Sequence, residues 1–373
     1  DTMVQGTTHP RFAACREAMA ANLADGYDLG CGLAVVEDGE VLVDLWGGFA
    51  DAAQTRPWRA DTLVNIWSTT KGVMALAVAM AVERGQLSYT TPVAEVWPEF
   101  AAGGKEAISL DLIMSHRAGL NGVETPLELD DLYAWTPYVE ALAAQTPLWE
   151  PGSRCVYHAL SYGHLTAESL RRADGRMPGA FIADEIAGPL GLDLHVGLPE
   201  SEDHRAAEIT ASDDSSEWVA EIERTGYGHA MKNPSAHALT PNERGWRAAE
   251  IPGGNGQATA LALATLYGTL AGGGGDLISP GGLKAATAER FDGMDVSMNA
   301  PTRFGAGYRL GGPESQIGPN PNSFGHTGWG GAFAFADPDA GLGVAYVMNR
   351  MLGYADDAMT RHCRMMDAIY GAL

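Results

Sequence analysis

From Gly72 to Val82 the chain reads GVMALAVAMAV, with no charge and no polar side chain, so a helix here is apolar on nearly every side and belongs inside the molecule. Ser68 or Thr69 supplies an N-cap and Gly85 lies just past the end, which predicts a buried helix over 68–84. Ahead of it, Cys31 to Gly48 forms two β-rich runs flanking Glu37-Asp38-Gly39-Glu40, and Asp-Gly between apolar runs predicts a hairpin with which the regular structure begins. From Leu87 to about Pro252 the chain is punctuated by Trp and Pro, strand signals are sparse, and the convincing segments are helical: 109–117, 127–145 and 161–172. Then come a helix over 259–271, a flexible Gly272–Gly275 turn, strand-like runs at 331–337 and 341–349 joined by Asp337-Pro338-Asp339-Ala340, and an amphipathic helix over 356–370. Strands at both ends around a helical middle predict an α/β (α+β) fold. One antiparallel sheet built from both termini (1–84 and 255–373) is flanked by helices, and 85–254 is an inserted all-helical domain. No internal repeat is visible.

Composition narrows the function. At 373 residues, 46% hydrophobic and 19% charged, the chain is an ordinary globular protein with ample core. Its 24 Lys plus Arg against 47 Asp plus Glu leave a net charge of −23, which repels nucleic-acid phosphates and anionic headgroups. The 72–82 run is about half the roughly 20 residues needed to span a bilayer, so no membrane span is expected. The opening DTMVQGTTHPRF lacks a basic n-region and an apolar h-region, and the expected location is the cytoplasm, although a chain starting after a cleaved signal would read the same. The acidic stretch Glu200–Arg224 reads as a solvated loop and short helix. Cys15, Cys31, Cys155 and Cys363 are scattered without CxxC spacing, which suits reduced, mostly buried thiols. His158 and His164, six apart with no third ligand nearby, do not suit a metal site. No metal or other cofactor is expected. GxSxG, HExxH, GxxxxGK[ST] and a strand-to-helix GxGxxG are all missing, which sets aside the corresponding hydrolases, metalloproteases and nucleotide binders.

What remains is Ser68-Thr69-Thr70-Lys71 at the start of the most hydrophobic helix. Three residues along a helix returns to nearly the same face, so the Ser68 hydroxyl and the Lys71 amine can touch. A Lys entering an apolar helix is costly as an ammonium; burial lowers its pKa towards the range of a general base. With only Lys71, Lys105, Lys232 and Lys284 in the chain, a chance SxxK is uncommon.

Over nearly its whole length the sequence resembles the serine hydrolases of the class C β-lactamase and penicillin-binding-protein superfamily, most of all the family VIII carboxylesterases. Three ordered motifs carry the resemblance: Ser68–Lys71, Tyr157 in WEPGSRCVYHALSYGHL, and His326-Thr327-Gly328 followed by Trp329-Gly330-Gly331. Leu112–Leu120 and Pro252-Gly253-Gly254-Asn255-Gly256 are also family-like. The resemblance implies a β-lactamase-like fold with the active site between the sheet domain and the helical domain. It makes Ser68 the nucleophile and Lys71 with Tyr157 the base pair, with Tyr162 as the alternative tyrosine. It places the oxyanion hole at the N–H groups of Ser68 and Trp329, and substrate-binding roles at His326, Thr327 and Gly328; Trp67, beside the nucleophile, reads as a core or pocket-wall aromatic that shapes the acyl site. Asn349, at the end of the last strand, is a weaker candidate to face the pocket.

Two departures bear on substrate. A class C lactamase carries Tyr-x-Asn where this chain has Tyr157-His158-Ala159, and a Lys where it has His326. Both shift the expectation from penicillins to short-chain neutral esters. A D-amino-acid peptidase or amidase, an acyltransferase or a weak β-lactamase would use the same constellation, and a penicilloyl sensor would keep it without turnover. The expected partner is therefore a small ester, neither nucleic acid nor membrane, in a chain compatible with homo-oligomer formation.

Overall fold

The computed structural model describes residues 3–373. Nine strands form the main sheet: β1 (Val4–Thr8), β2 (Gly30–Glu37), β3 (Glu40–Gly48), β4 (Phe291–Asp295), β5 (Ala300–Phe304), β6 (Arg309–Leu310), β7 (Phe324–Thr327), β8 (Phe333–Asp337) and β9 (Leu342–Met348). Their spatial order is β1-β3-β2-β9-β8-β7-β6-β5-β4, antiparallel throughout, so the last strand of the chain pairs with the first hairpin. In that pairing Val344 stands opposite Val35 and Tyr346 opposite Leu33, and both strands are almost wholly buried, as a sheet covered on two faces requires.

Helices cover both faces. Five matter here: α1 (Ala13–Ala24), α2 (Thr70–Glu83), α3 (Ser161–Asp174), α4 (Ala260–Ala271) and α5 (Ala358–Tyr370). The apolar α4 lies flat on one face because Gly343 gives it room; a Cβ there would stand 2.0 Å from the Gly268 backbone nitrogen. The opposite face meets α1 and α5, through Leu23 against Gly47 and His362 edge-on to Phe333. Mixed α/β layering around a large antiparallel sheet is the architecture expected from the sequence.

Three local expectations need correction. The regular structure opens with β1 and α1, not with the hairpin. β1 is a half-exposed edge strand of sequence VQGTT, too polar and Gly-broken to announce itself, and α1 is nearly all Ala and polar residues with little facial contrast. The single helix over 127–145 is instead two, Leu129–Tyr133 and Thr136–Ala144, broken where Trp135 takes φ 69° and its indole N–H reaches the buried Glu168 carboxylate at 3.0 Å. The 109–117 helix shrinks to Leu110–Met114, after which His116, at φ 60°, turns the chain.

Candidate active site

The chain enters α2 through a tight turn at Trp67–Thr69, with Trp67 in the left-handed region at φ 46°, a strained conformation for a bulky residue. Thr70 pins this turn: its hydroxyl donates to the Trp67 carbonyl at 2.7 Å and accepts from the Gly256 N–H at 2.9 Å. One turn on, Lys71 is fully buried, and its Nζ makes three contacts: Ser68 Oγ at 2.9 Å, the Ala159 carbonyl at 2.6 Å and the Gly253 carbonyl at 2.7 Å. Burial, and next the Arg309 guanidinium, hold the amine well below its ordinary value of 10.5.

The two carbonyls explain the family-like stretches. Asn255 ties the Pro252–Gly256 loop by accepting from Ile251 N–H at 2.9 Å and donating to the Trp246 and Ala249 carbonyls. That fixes Gly253 against α3, where Gly163 admits it; a Cβ on Gly163 would lie 2.0 Å from Gly253 N. The 112–120 stretch carries the Tyr157 segment. Val156 N–H donates to the His116 carbonyl at 2.9 Å, and His158 N–H donates to His116 Nδ1 at 2.8 Å. Asp295 accepts the Tyr157 N–H at 3.1 Å.

Tyr157 itself lies with its ring 4.9 Å from Lys71 Nζ. Burial raises its phenol above the ordinary 10.0, while Arg309 and the hydrogen-bonding Ser68 hydroxyl pull the other way. Tyr162 is elsewhere: its hydroxyl donates to the Lys71 backbone carbonyl at 3.3 Å from full burial.

Ser68 and Tyr157 open onto a cavity of about 430 Å³ whose wall continues through Thr327, Gly328 and Trp329 to Arg309. Gly328 has no room for a side chain, since a Cβ would stand 2.4 Å from the Ile66 carbonyl. Neither the Ser68 nor the Trp329 backbone N–H donates to an acceptor among the described residues. Arg361 steadies this loop from behind, donating to the Gly330 carbonyl and, at 2.8 Å, to the Arg350 carbonyl.

His326 and Trp67 are not on the wall. His326 is fully buried, its Nδ1 2.6 Å from the Thr327 carbonyl and its ring 6.3 Å from that of Tyr157; burial and the nearby Arg309 hold it well below 6.5, hence neutral. Trp67 is clasped between Trp246 and Trp329, ring centroids 5.2 and 4.7 Å away. Asn349 is buried and structural, bridging Gly30 N–H and the Phe49 carbonyl.

Two contributors escaped sequence reasoning. The acidic stretch is no solvated loop throughout: Asp214, Ser215, Glu217 and Trp218 line the cavity, and the Trp329 indole N–H donates to the Ser215 carbonyl at 2.7 Å. Arg309, which the sequence reading did not single out, puts a guanidinium on the wall beside Tyr157. Arg309 comes from a two-residue strand, and its pairing with Gly325, beside His326, on one side and with Phe304 on the other brings it here.

An antiparallel sheet with helices on both faces, and a serine–lysine pair at the foot of a buried helix facing a tyrosine, define a class of serine hydrolase. The chain belongs to the Beta-lactamase family, which residues 16–363 match. It is 35% identical over 368 residues to the esterase/beta-lactamase LipL of Mycobacterium tuberculosis, covering 94% of this chain and 83% of that one. Among solved structures it resembles a family VIII carboxylesterase (41% identity, TM-score 0.91, 99% of this chain and 100% of that one). It also resembles a penicillin-binding-protein homologue from Caulobacter crescentus (41% identity, TM-score 0.88, the same coverage).

Proposed function

We propose that the protein is a serine carboxylesterase that cleaves short-chain esters through an acyl-enzyme on Ser68. The observation that carries this is the setting of Lys71. A neutral amine has two hydrogens and one lone pair; the Ala159 and Gly253 carbonyls take the hydrogens and leave the lone pair aimed at Ser68 Oγ. Lys71 is then the general base. Ser68 Oγ bonds to the acyl carbon as its proton passes to Lys71, and the carbonyl oxygen turns into the N–H groups of Ser68 and Trp329. As the C–O bond breaks, the protonated Tyr157 phenol gives its proton to the leaving alkoxide and is recharged from Lys71. Water then repeats the sequence on the acyl-enzyme and releases the acid.

On this reading the site lies between the sheet domain, 1–84 with 255–373, and the helical insert, 85–254, since the wall draws Tyr157 and Trp218 from the insert and Ser68, Arg309 and Trp329 from the sheet side. Thr327 orients the substrate. The similarity to an esterase/beta-lactamase and to a family VIII carboxylesterase supports the same chemistry.

The test is a fluorophosphonate label with peptide mapping, alongside p-nitrophenyl butyrate, nitrocefin and D-amino-acid anilide assays. One adduct is expected, on Ser68, with butyrate the preferred substrate; Ser68→Ala should lose at least about 10³-fold in kcat/KM. A label elsewhere, or an active Ser68→Ala, would refute the assignment.

A further inference from the structure

His116 carries two costs that the mechanism leaves unexplained. It holds a non-glycine backbone at φ 60°, and its fully buried ring has an Nε2 with no partner among the described residues. Asparagine or glycine would meet that φ with less strain, so what a histidine adds here is its ring. The Nδ1 accepts the His158 N–H at 2.8 Å, which puts the ring hydrogen on Nε2. The carbonyl of the same residue accepts the Val156 N–H at 2.9 Å. One residue therefore grips the chain on both sides of Tyr157, while Asp295 takes the N–H of Tyr157 itself at 3.1 Å. The ring also stands against the phenol: the centroids of His116 and Tyr157 are 4.8 Å apart, with Phe304 and Tyr162 at 4.7 and 5.5 Å on other sides.

We propose that His116 is a positioning residue for Tyr157: its Nδ1 and its carbonyl fix residues 156 and 158 so that the phenol stays beside Ser68. This rests on the ester-hydrolase reading above. The acceptor is available because burial, and next the neighbouring His158 and Lys71, hold the ring well below 6.5, hence neutral. Removing it strands the His158 N–H in the interior, and the chain around Tyr157 is then free to shift. A displacement of about 1 Å at a reacting group can cost about 10²-fold in rate. The loss has a chemical signature. An alkoxide leaves only with the phenol's proton, whereas p-nitrophenolate leaves without it, so a misplaced Tyr157 hurts alkyl esters most.

The experiment measures kcat/KM for ethyl butyrate and p-nitrophenyl butyrate, per fluorophosphonate-titrated site, in the wild type, Tyr157→Phe, His116→Phe and His116→Asn. Phenylalanine keeps an aromatic ring without the acceptor, whereas asparagine tolerates positive φ and offers Oδ1 near the place of Nδ1. His116→Phe should raise the p-nitrophenyl-to-ethyl ratio by about tenfold or more, in the same direction as Tyr157→Phe. His116→Asn should bring the ratio back to within about threefold of the wild type. Equal losses on both esters in His116→Phe would mark a merely structural role and overturn the proposal, as would a His116→Asn no better than His116→Phe. Should His116→Phe fail to fold, His116→Gly, which suits the φ and also lacks the acceptor, takes its place with the same expectations. A wild type inactive on p-nitrophenyl butyrate would instead defeat the ester-hydrolase reading. A Tyr157→Phe ratio equal to that of the wild type would remove Tyr157 as the proton donor, and this proposal with it.

Discussion

Two side chains with opposite displacements make a pH profile that reads the mechanism. In the proposed mechanism Lys71 works as a neutral amine, and burial lowers its value, so the active form should persist from alkaline pH down until the lowered value is crossed, below which activity should fall. The same mechanism uses Tyr157 as a phenol, and burial raises its value, so an alkaline limb is expected above the ordinary 10.0. For p-nitrophenyl butyrate, kcat/KM should therefore show an acid limb well below 10.5 and a broad plateau; a midpoint near 10.5 would remove Lys71 from the role of base. Tyr157→Phe should cost about 10²-fold or more in kcat. Tyr162→Phe loses only a hydrogen bond to the Lys71 carbonyl, about 1 kcal/mol of stability, and should leave most of the rate. If Tyr162→Phe were the damaging change, the second motif would be misplaced.

At the scale of elements, loops hold the chemistry in place through buried polar side chains. Asn255 closes the loop whose Gly253 carbonyl orients Lys71, so Asn255→Ala should cost about 2–3 kcal/mol in chemical denaturation and also lower kcat more than it raises KM. Lys105 does similar work away from the site. Fully buried, its ammonium binds the Ala102, Ala143 and Gln145 carbonyls at 2.5–2.7 Å and so closes the C-terminus of the 136–144 helix. Lys105→Met should destabilise the fold by about 2–4 kcal/mol while the folded fraction keeps wild-type kcat, measured by urea unfolding and active-site titration. A parallel loss of kcat would tie that helix to catalysis.

For the whole molecule, buried neutral histidines set the acid limit of stability. His158 and His164 are fully buried and pushed down to about 4 and about 3 by burial. The unfolded chain protonates them near 6.5, the folded one does not, so stability is present above pH 6.5 and is lost as pH falls towards those folded values. Each contributes about 1.4 kcal/mol per pH unit, roughly 2 kcal/mol by pH 5. Urea midpoints should drop between pH 7 and pH 5, and His164→Leu should flatten the drop; an unchanged slope would place the acid sensitivity elsewhere. His164 stacks at 4.5 Å on Trp135 and edge-on to Tyr138 with neither ring nitrogen bonded to a side chain, so an apolar replacement fits its surroundings.

The sequence by itself determined what short-range pattern can encode. The 37–40 turn makes a hairpin because Asp38 and Gly39 accept positive φ, and 72–82 makes a core helix because it has no polar face. Helical spacing put Ser68 against Lys71, and the ordered motifs named Tyr157 and the loop at Trp329. Tertiary structure alone decided the rest. Arg309 reaches the cavity through a two-residue strand, the 213–218 segment closes over Trp329 from more than a hundred residues away, and His326 turns inward behind Tyr157. None of these leaves a periodic trace, because which face of a short strand or loop meets the cavity is set by what packs behind it.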